Sequence, residues 1–101
     1  MEDKHRDTLE RCHEALVKDL EPEKLFAHLI QEGVMTPDDQ EEITKIVRRT
    51  LRNAKFLSIL STSGPTAYQE FVNALEKNQS FLACKLLREG KYIIPLFVDY
   101  E

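Results

Sequence analysis

The 101-residue sequence has little cysteine, little glycine and no long apolar run. No stretch approaches the ~18–20 apolar residues that cross a bilayer, and the charged start Met1–Arg6 lacks the apolar core of a signal peptide. We therefore expect an intracellular, cytoplasmic protein that does not bind membranes. In a reducing compartment Cys12 and Cys84 are expected to be separate buried thiols, although spacing alone does not exclude a disulfide. The three glycines form no phosphate-binding loop.

The composition fits one globular domain, with 42% hydrophobic and 32% charged residues. A chain of this length can bury one modest core. Its charges are unevenly distributed, with thirteen acidic and five basic residues over Met1–Thr44. The short block Lys45–Lys55, hereafter the basic block, has five basic residues and no acidic one. The net charge of −4 makes a general attraction to nucleic acid or anionic membrane unexpected.

Apolar residues recur at helical spacing in six segments separated by short turn signals. Short connections favour helices that pack against their neighbours in opposite directions. The sequence therefore predicts an all-α, six-helix antiparallel bundle as one domain over residues 1–90. The predicted helices cover about residues 3–20, 22–32, a third segment opening at 37, then about 50–60, 65–77 and 80–90.

Several residues indicate where these helices begin, end and face the core. Gly33 occupies the position of a left-handed C-terminal cap, and Thr36 that of an N-cap before a proline. Residues 91–101 are predicted to be an extended tail or the start of a linker, because they are β-branched and interrupted by Pro95. The apolar stripes include Val47, Leu51, Phe81 and Leu87, which are expected to face inward.

Five short patterns follow one another in a specific order along the chain. They are His5–Leu9, Leu25–Leu29, Gly33–Thr36, Asn53–Leu57 and Gly64–Phe71. The last is the most specific, with Gly-Pro, a small residue, an aromatic residue and Phe followed by Ala-Leu. Their order and spacing resemble those of caspase recruitment domains (CARDs), a branch of the death-fold superfamily. Within that family the sequence is most similar to the prodomains of initiator caspases and to their adaptor.

The resemblance implies a Greek-key death fold that catalyses nothing itself and needs no cofactor. It implies homotypic binding to other CARDs, with a caspase, an adaptor or an apoptosome scaffold as partner, and possible self-assembly. The expected role is to recruit or oligomerise initiator caspases or their adaptor in apoptotic signalling. A CARD of an inflammatory adaptor or receptor is the alternative within the family. A small helical nucleic-acid binder is the alternative outside it, and an enzyme is a more distant one.

The resemblance also implies two charged partner-binding faces. His13 departs from the nearest caspase relatives, which tend to have a basic residue there, so the basic face on the first helix is expected to be weaker. The basic face would use Arg11, Lys18, Arg48, Arg49, Arg52 and Lys55, and the acidic face Glu23, Glu32, Asp38, Asp39, Glu41 and Glu42, with no nucleic acid as partner.

Each of these features has a simpler interpretation. The basic block could be a solvated helix face or could bind the nucleic-acid backbone, and Asp38 and Asp39 could merely favour a helix N-terminus. His5, His13 and His28 show no metal-ligand spacing. Adjacent residues on a helix point in different directions, so Cys12 and His13 do not form a nucleophile–base pair.

Overall fold

The computed structural model describes residues 3–90, and all regular structure in that range is helical. No helix there is both long and apolar enough to cross a membrane. The predicted tail 91–101 lies outside the described residues. The described elements are α1 (Asp3–Arg11), α2 (His13–Asp19), a 3₁₀ turn (Pro22–Lys24), α3 (Phe26–Gln31), α4 (Pro37–Thr44), α5 (Arg49–Ser61), α6 (Ala67–Asn78) and α7 (Ser80–Gly90).

Residues 3–90 thus hold seven α-helices, so the predicted six-helix count is not confirmed. The first predicted helix is divided at Cys12, whose φ of −97° and ψ of 6° depart from helical values. Backbone hydrogen bonds still cross the break, since the Cys12 N–H donates to the Thr8 carbonyl at 3.1 Å. Leu9 and Leu16 on either side are both buried. A change of dihedral angles at one residue therefore divides the helix while the apolar stripe continues, and periodicity does not reveal the division.

The predicted signals around α4 are confirmed. Gly33 has a φ of 78°, the left-handed conformation that favours glycine. The Asp39 N–H donates to the Thr36 hydroxyl, and the Thr36 N–H donates to the Asp39 carboxylate, each at 3.1 Å. This capping box satisfies donors at the helix start, and Pro37 fits the first helical position because it lacks an N–H there.

Aromatic side chains at the centre of the core connect three helices. Phe56 of α5 lies between Phe26 of α3 and Phe71 of α6, with ring centroids 6.0 Å and 5.8 Å away. The tilted arrangement suits the charge distribution of aromatic rings. The largest fully buried side chains are Phe56, Phe71, Leu16, Leu20, Leu25, Leu29, Ile43, Leu60, Leu75, Leu82, Leu86 and Asn53.

The expected orientation of several apolar residues is wrong. Leu51 is 54% exposed, because the inward side of α5 is already filled by Asn53, Phe56, Leu57 and Leu60. Val47 is 90% exposed because it lies in the loop after α4 has ended. The outward side of α7 carries Phe81, Leu87 and Cys84, so the expectation of a second buried thiol is also wrong.

Two buried amides complete the C-terminal end of α2. The Asn53 side chain donates to the carbonyls of Val17 at 2.9 Å and Leu20 at 3.0 Å. The Gln79 side chain donates to the Asp19 carbonyl and accepts from the Glu21 N–H, both at 2.9 Å. The last carbonyls of a helix have no partner within the helix, so these amides satisfy groups that would otherwise be buried without partners.

We expect Asn53→Ala to lower the free energy of unfolding by about 1–3 kcal/mol, the usual cost of leaving buried polar groups unpaired. Asn53→Asp should cost more, because a carboxylate cannot donate and would face carbonyl oxygens. Urea unfolding at neutral pH measures both. Asn78→Asp is the matched control, since within residues 3–90 the exposed Asn78 side chain bonds only to the Ala74 carbonyl of its own helix. Equal losses at positions 53 and 78 would contradict the assignment.

Tyr68 is a buried phenol that joins α1 to α6. Its ring stacks on the His5 ring with centroids 4.1 Å apart and planes 5° from parallel. Burial, with a smaller contribution from the nearby Cys12, raises the pKa of Tyr68 to about 12. The folded state therefore disfavours the phenolate.

This raised pKa predicts a loss of stability at alkaline pH. The unfolded chain releases the Tyr68 proton near about pH 10, whereas the folded chain retains it until about pH 12. The contribution of the Tyr68 proton to the free energy of unfolding is thus fully present below the unfolded pKa of Tyr68. It is lost as pH rises through the folded pKa. Tyr68→Phe should reduce that loss in urea unfolding series. A stability difference between wild type and Tyr68→Phe that stays constant with pH would exclude the effect.

Candidate protein-interaction surface

The predicted basic residues of the first two helices are exposed on their outer side. Arg11 of α1 forms an ion pair with Asp7 one turn earlier, with Nη2–Oδ2 at 3.0 Å. Arg11 and Lys18 line a shallow cavity of about 350 Å³ together with Lys85 of α7. These two cations therefore face toward α7 rather than along α5.

The basic block begins with a contact to α2. The exposed Arg49 donates from Nη2 to the Asp19 carbonyl at 3.3 Å, which joins the start of α5 to the end of α2. Arg48 and Lys55 are exposed, and within residues 3–90 neither forms an ion pair. The block therefore offers at least two uncompensated cations to a partner.

Arg52 differs from its neighbours because it is half-buried. Its Nη1 donates to the Ile46 carbonyl at 3.3 Å, beyond the end of α4. It also lines a cavity of about 190 Å³ with Glu23 and Phe26. Arg52 thus helps to hold the α4–α5 loop, and its cavity is not the one lined by Arg11 and Lys18. The six predicted basic residues do not converge on one concave site.

The predicted acidic residues lie on the 3₁₀ turn, at the end of α3 and on α4. Asp38, Glu41 and Glu42 are exposed, and their carboxylates pair with no cation among the described residues. Asp39 is different, because its carboxylate is used in the capping box. Glu23 and Glu32 are exposed on other elements. The uncompensated negative charge is therefore concentrated on α4.

One further carboxylate lies beside the basic block without belonging to either predicted face. The pKa of Glu21 is lowered because Lys24 donates a hydrogen bond to it, with Nζ–Oε1 at 2.9 Å, and adds its positive charge. Arg49 makes a smaller contribution in the same direction, against a raising effect of burial. The charges of Lys24 and Glu21 therefore neutralise each other.

Sequence reasoning missed an apolar part of this surface. Val47 and Leu51 are 90% and 54% exposed, and they alternate along the chain with Arg48 and Lys55. The periodicity of α5 contained a signal for the exposure of Leu51. The buried residues Asn53, Phe56, Leu57 and Leu60 lie on one side of the helix, and Leu51 lies on the opposite side. Apolar side chains among cations favour a protein partner, since apolar anchors contribute most at the centre of protein interfaces.

His13 lies on a separate side of the molecule. It lines a groove of about 380 Å³ between α1 and α5 with Leu9, Leu57 and Arg6. Arg6 crosses this groove and donates from Nε to the Ser61 carbonyl at 3.3 Å. His13 thus faces α5, whereas Arg11 and Lys18 face α7. The presence of histidine rather than a basic residue at position 13 therefore does not affect the surface that Arg11 and Lys18 form.

The helical fold and the order of its core residues define a death-fold interaction domain, and the caspase recruitment domain family matches residues 6–89. The chain belongs to that family. It is also similar to caspase-2 of Gallus gallus, with 29% identity over 85 residues that make up 83% of this chain. The same region makes up 20% of the caspase-2 chain, so this chain spans about a fifth of that relative. As a CARD it is a non-catalytic domain of homotypic protein interaction.

The half-buried position of Arg52 predicts that it stabilises the fold. Arg52→Gln should lower the free energy of unfolding by about 1 kcal/mol, the typical value of one hydrogen bond. Lys55→Gln, at an exposed position of the same helix, should change it by less than about 0.5 kcal/mol. Urea unfolding of the two variants tests this difference, and equal values would mean that the Ile46 contact contributes nothing.

Proposed function

We propose that this domain recruits or oligomerises initiator caspases or their adaptor in apoptotic signalling, through contacts with other CARDs in the cytoplasm. The family match over residues 6–89 carries the proposal, and the similarity to caspase-2 favours a caspase pathway. A CARD of an inflammatory adaptor or receptor would use the same kind of surface. Identification of the captured partner separates these two roles.

The charges on the surface support binding between two domains of this fold. Asp38, Glu41 and Glu42 have no cation within residues 3–90, and Arg48 and Lys55 have no anion there. A second CARD can supply the missing charges of both signs. Complementary charges speed association and exclude wrong partners.

The proposed interface depends on several contacts acting together. An exposed ion pair typically contributes only about 0–1 kcal/mol, so no single pair explains specific binding. Val47 and Leu51 add apolar area that a partner can remove from water. Nucleic acid would pair with the cations but leave the acidic α4 without a role, which favours a protein partner.

The proposed mechanism is proximity. An interaction domain joined to an effector raises the local concentration of that effector when several copies assemble. Such a domain needs no catalytic group of its own. The charged faces would then determine which chains assemble, while the effector supplies the chemistry.

A charge exchange between two copies tests the pairing. Lys55→Glu in one copy and Glu41→Lys in a second should each weaken association, because each places like charges opposite one another. The double variant Lys55→Glu/Glu41→Lys, in which every such contact joins the two reversed residues, should restore part of the loss, with a coupling of about 0.5–3 kcal/mol if the residues meet. Sedimentation velocity at low salt measures the association, and added salt should reduce every effect.

The control is Lys77→Glu, a charge reversal at an exposed position of α6 outside both faces. It should leave association unchanged. Strictly additive losses from Lys55→Glu and Glu41→Lys would refute the pairing while leaving the family unaffected. If only the acidic variant weakens binding, the partner is a different CARD with its own basic face. Capture on the immobilised domain, wild type against Glu41→Lys, would then identify that partner.

A further inference from the structure

Three potential metal ligands from two helices meet on one side of the bundle. His28 lies in α3, Glu32 follows the end of that helix, and Glu70 lies in α6. Their ligand atoms all lie within 4.8 Å of one another. His28 Nε2 and Glu70 Oε1 are already in contact at 2.9 Å. No ligand spacing in the sequence predicts this cluster, because Glu70 is 42 residues from His28.

The surroundings position these groups. The side chains of His28 and Glu70 are only 20% and 23% exposed, which restricts their rotamers. Glu32 is the C-cap of α3, and its N–H donates to the His28 carbonyl at 3.0 Å, which holds it one turn after His28. The Asn73 side-chain amide donates to Glu70 Oε1 at 3.4 Å, the same oxygen that contacts His28. A hydrogen-bonded carboxylate of this kind is typical of an oriented metal ligand.

We propose that His28, Glu32 and Glu70 bind a divalent transition-metal ion, with Zn²⁺ as the expected species. One imidazole nitrogen and two carboxylates suit zinc, whereas calcium and magnesium prefer oxygen ligands alone. Three protein ligands leave a fourth tetrahedral position for water. The two carboxylates balance the charge of the ion. Binding would connect α3 to α6 and does not depend on the function proposed above.

A simple hydrogen bond between His28 and Glu70 is the competing explanation, and Glu32 distinguishes the two. Within residues 3–90 the Glu32 carboxylate forms no hydrogen bond or ion pair, so the fold does not depend on it. Glu32→Gln therefore removes one ligand and leaves the His28–Glu70 contact unchanged. A structural hydrogen bond predicts no effect of this variant, whereas a metal site predicts a loss of affinity.

Isothermal titration of the full chain with Zn²⁺ alone should give one site per chain. Glu32→Gln should weaken it on the order of tenfold or more, and Glu70→Gln likewise. Zn²⁺ should raise the melting temperature of the wild type, because an ion that binds only the folded state stabilises it. Acidic pH should weaken binding, since protons compete for the ligand atoms. Co²⁺ should give the intense visible bands of a tetrahedral site.

Two controls exclude other metal-binding residues. His13→Gln removes an exposed histidine, and Cys84→Ser removes the exposed thiol. Both should bind Zn²⁺ as the wild type does. Wild-type affinity in Glu32→Gln, with circular dichroism showing an intact fold, would overturn the proposal, as would a loss of affinity in Cys84→Ser. Absence of saturable Zn²⁺ binding by the wild type would overturn it as well.

Discussion

The C-terminal end of α2 determines how the remaining helices can pack. Its last carbonyls are buried or part-buried, and they are satisfied by Asn53 of α5 and by Gln79 between α6 and α7. Buried amides of this kind have strict geometry, and leaving them unpaired is costly. A rotation of α5 would break the bonds from Asn53, and a shift of the α6–α7 junction would break those from Gln79. Two distant parts of the chain are thereby fixed against one helix end.

This constraint also orients the surface that we propose for partner binding. Because Asn53 must point toward α2, the same helix turns Leu51 and Lys55 outward. Arg49 adds a contact to the Asp19 carbonyl at the same helix end. Arg52 points instead to the Ile46 carbonyl, where it is withdrawn from solvent. The basic block is therefore divided into exposed cations and a cation that holds the loop, although all five belong to one short run of sequence.

Local signals in the sequence identified the caps and most of the core, because a cap depends on neighbours a few residues away. Thr36 with Asp39, and Gly33, are such cases. The division of the first helix at Cys12 was not predictable, since the apolar stripe continues through it. The meeting of His28 with Glu70 depends on packing between helices distant in the chain. Periodicity within one helix carries no information about which neighbour covers it.

The structure also divides the predicted acidic face into residues with different tasks. Asp39 is engaged in a helix cap, so its carboxylate is not free for a partner. Glu32 lies beside His28 and Glu70, on the side where α3 meets α6. A carboxylate that coordinates an ion has little charge left for an arginine or lysine of another chain. Glu41 and Glu42 are exposed on α4 and have no such neighbours, so they are the residues we propose for the acidic side of a CARD–CARD contact. The proposed partner surface on α4 and the proposed metal site between α3 and α6 therefore lie on separate parts of one small domain.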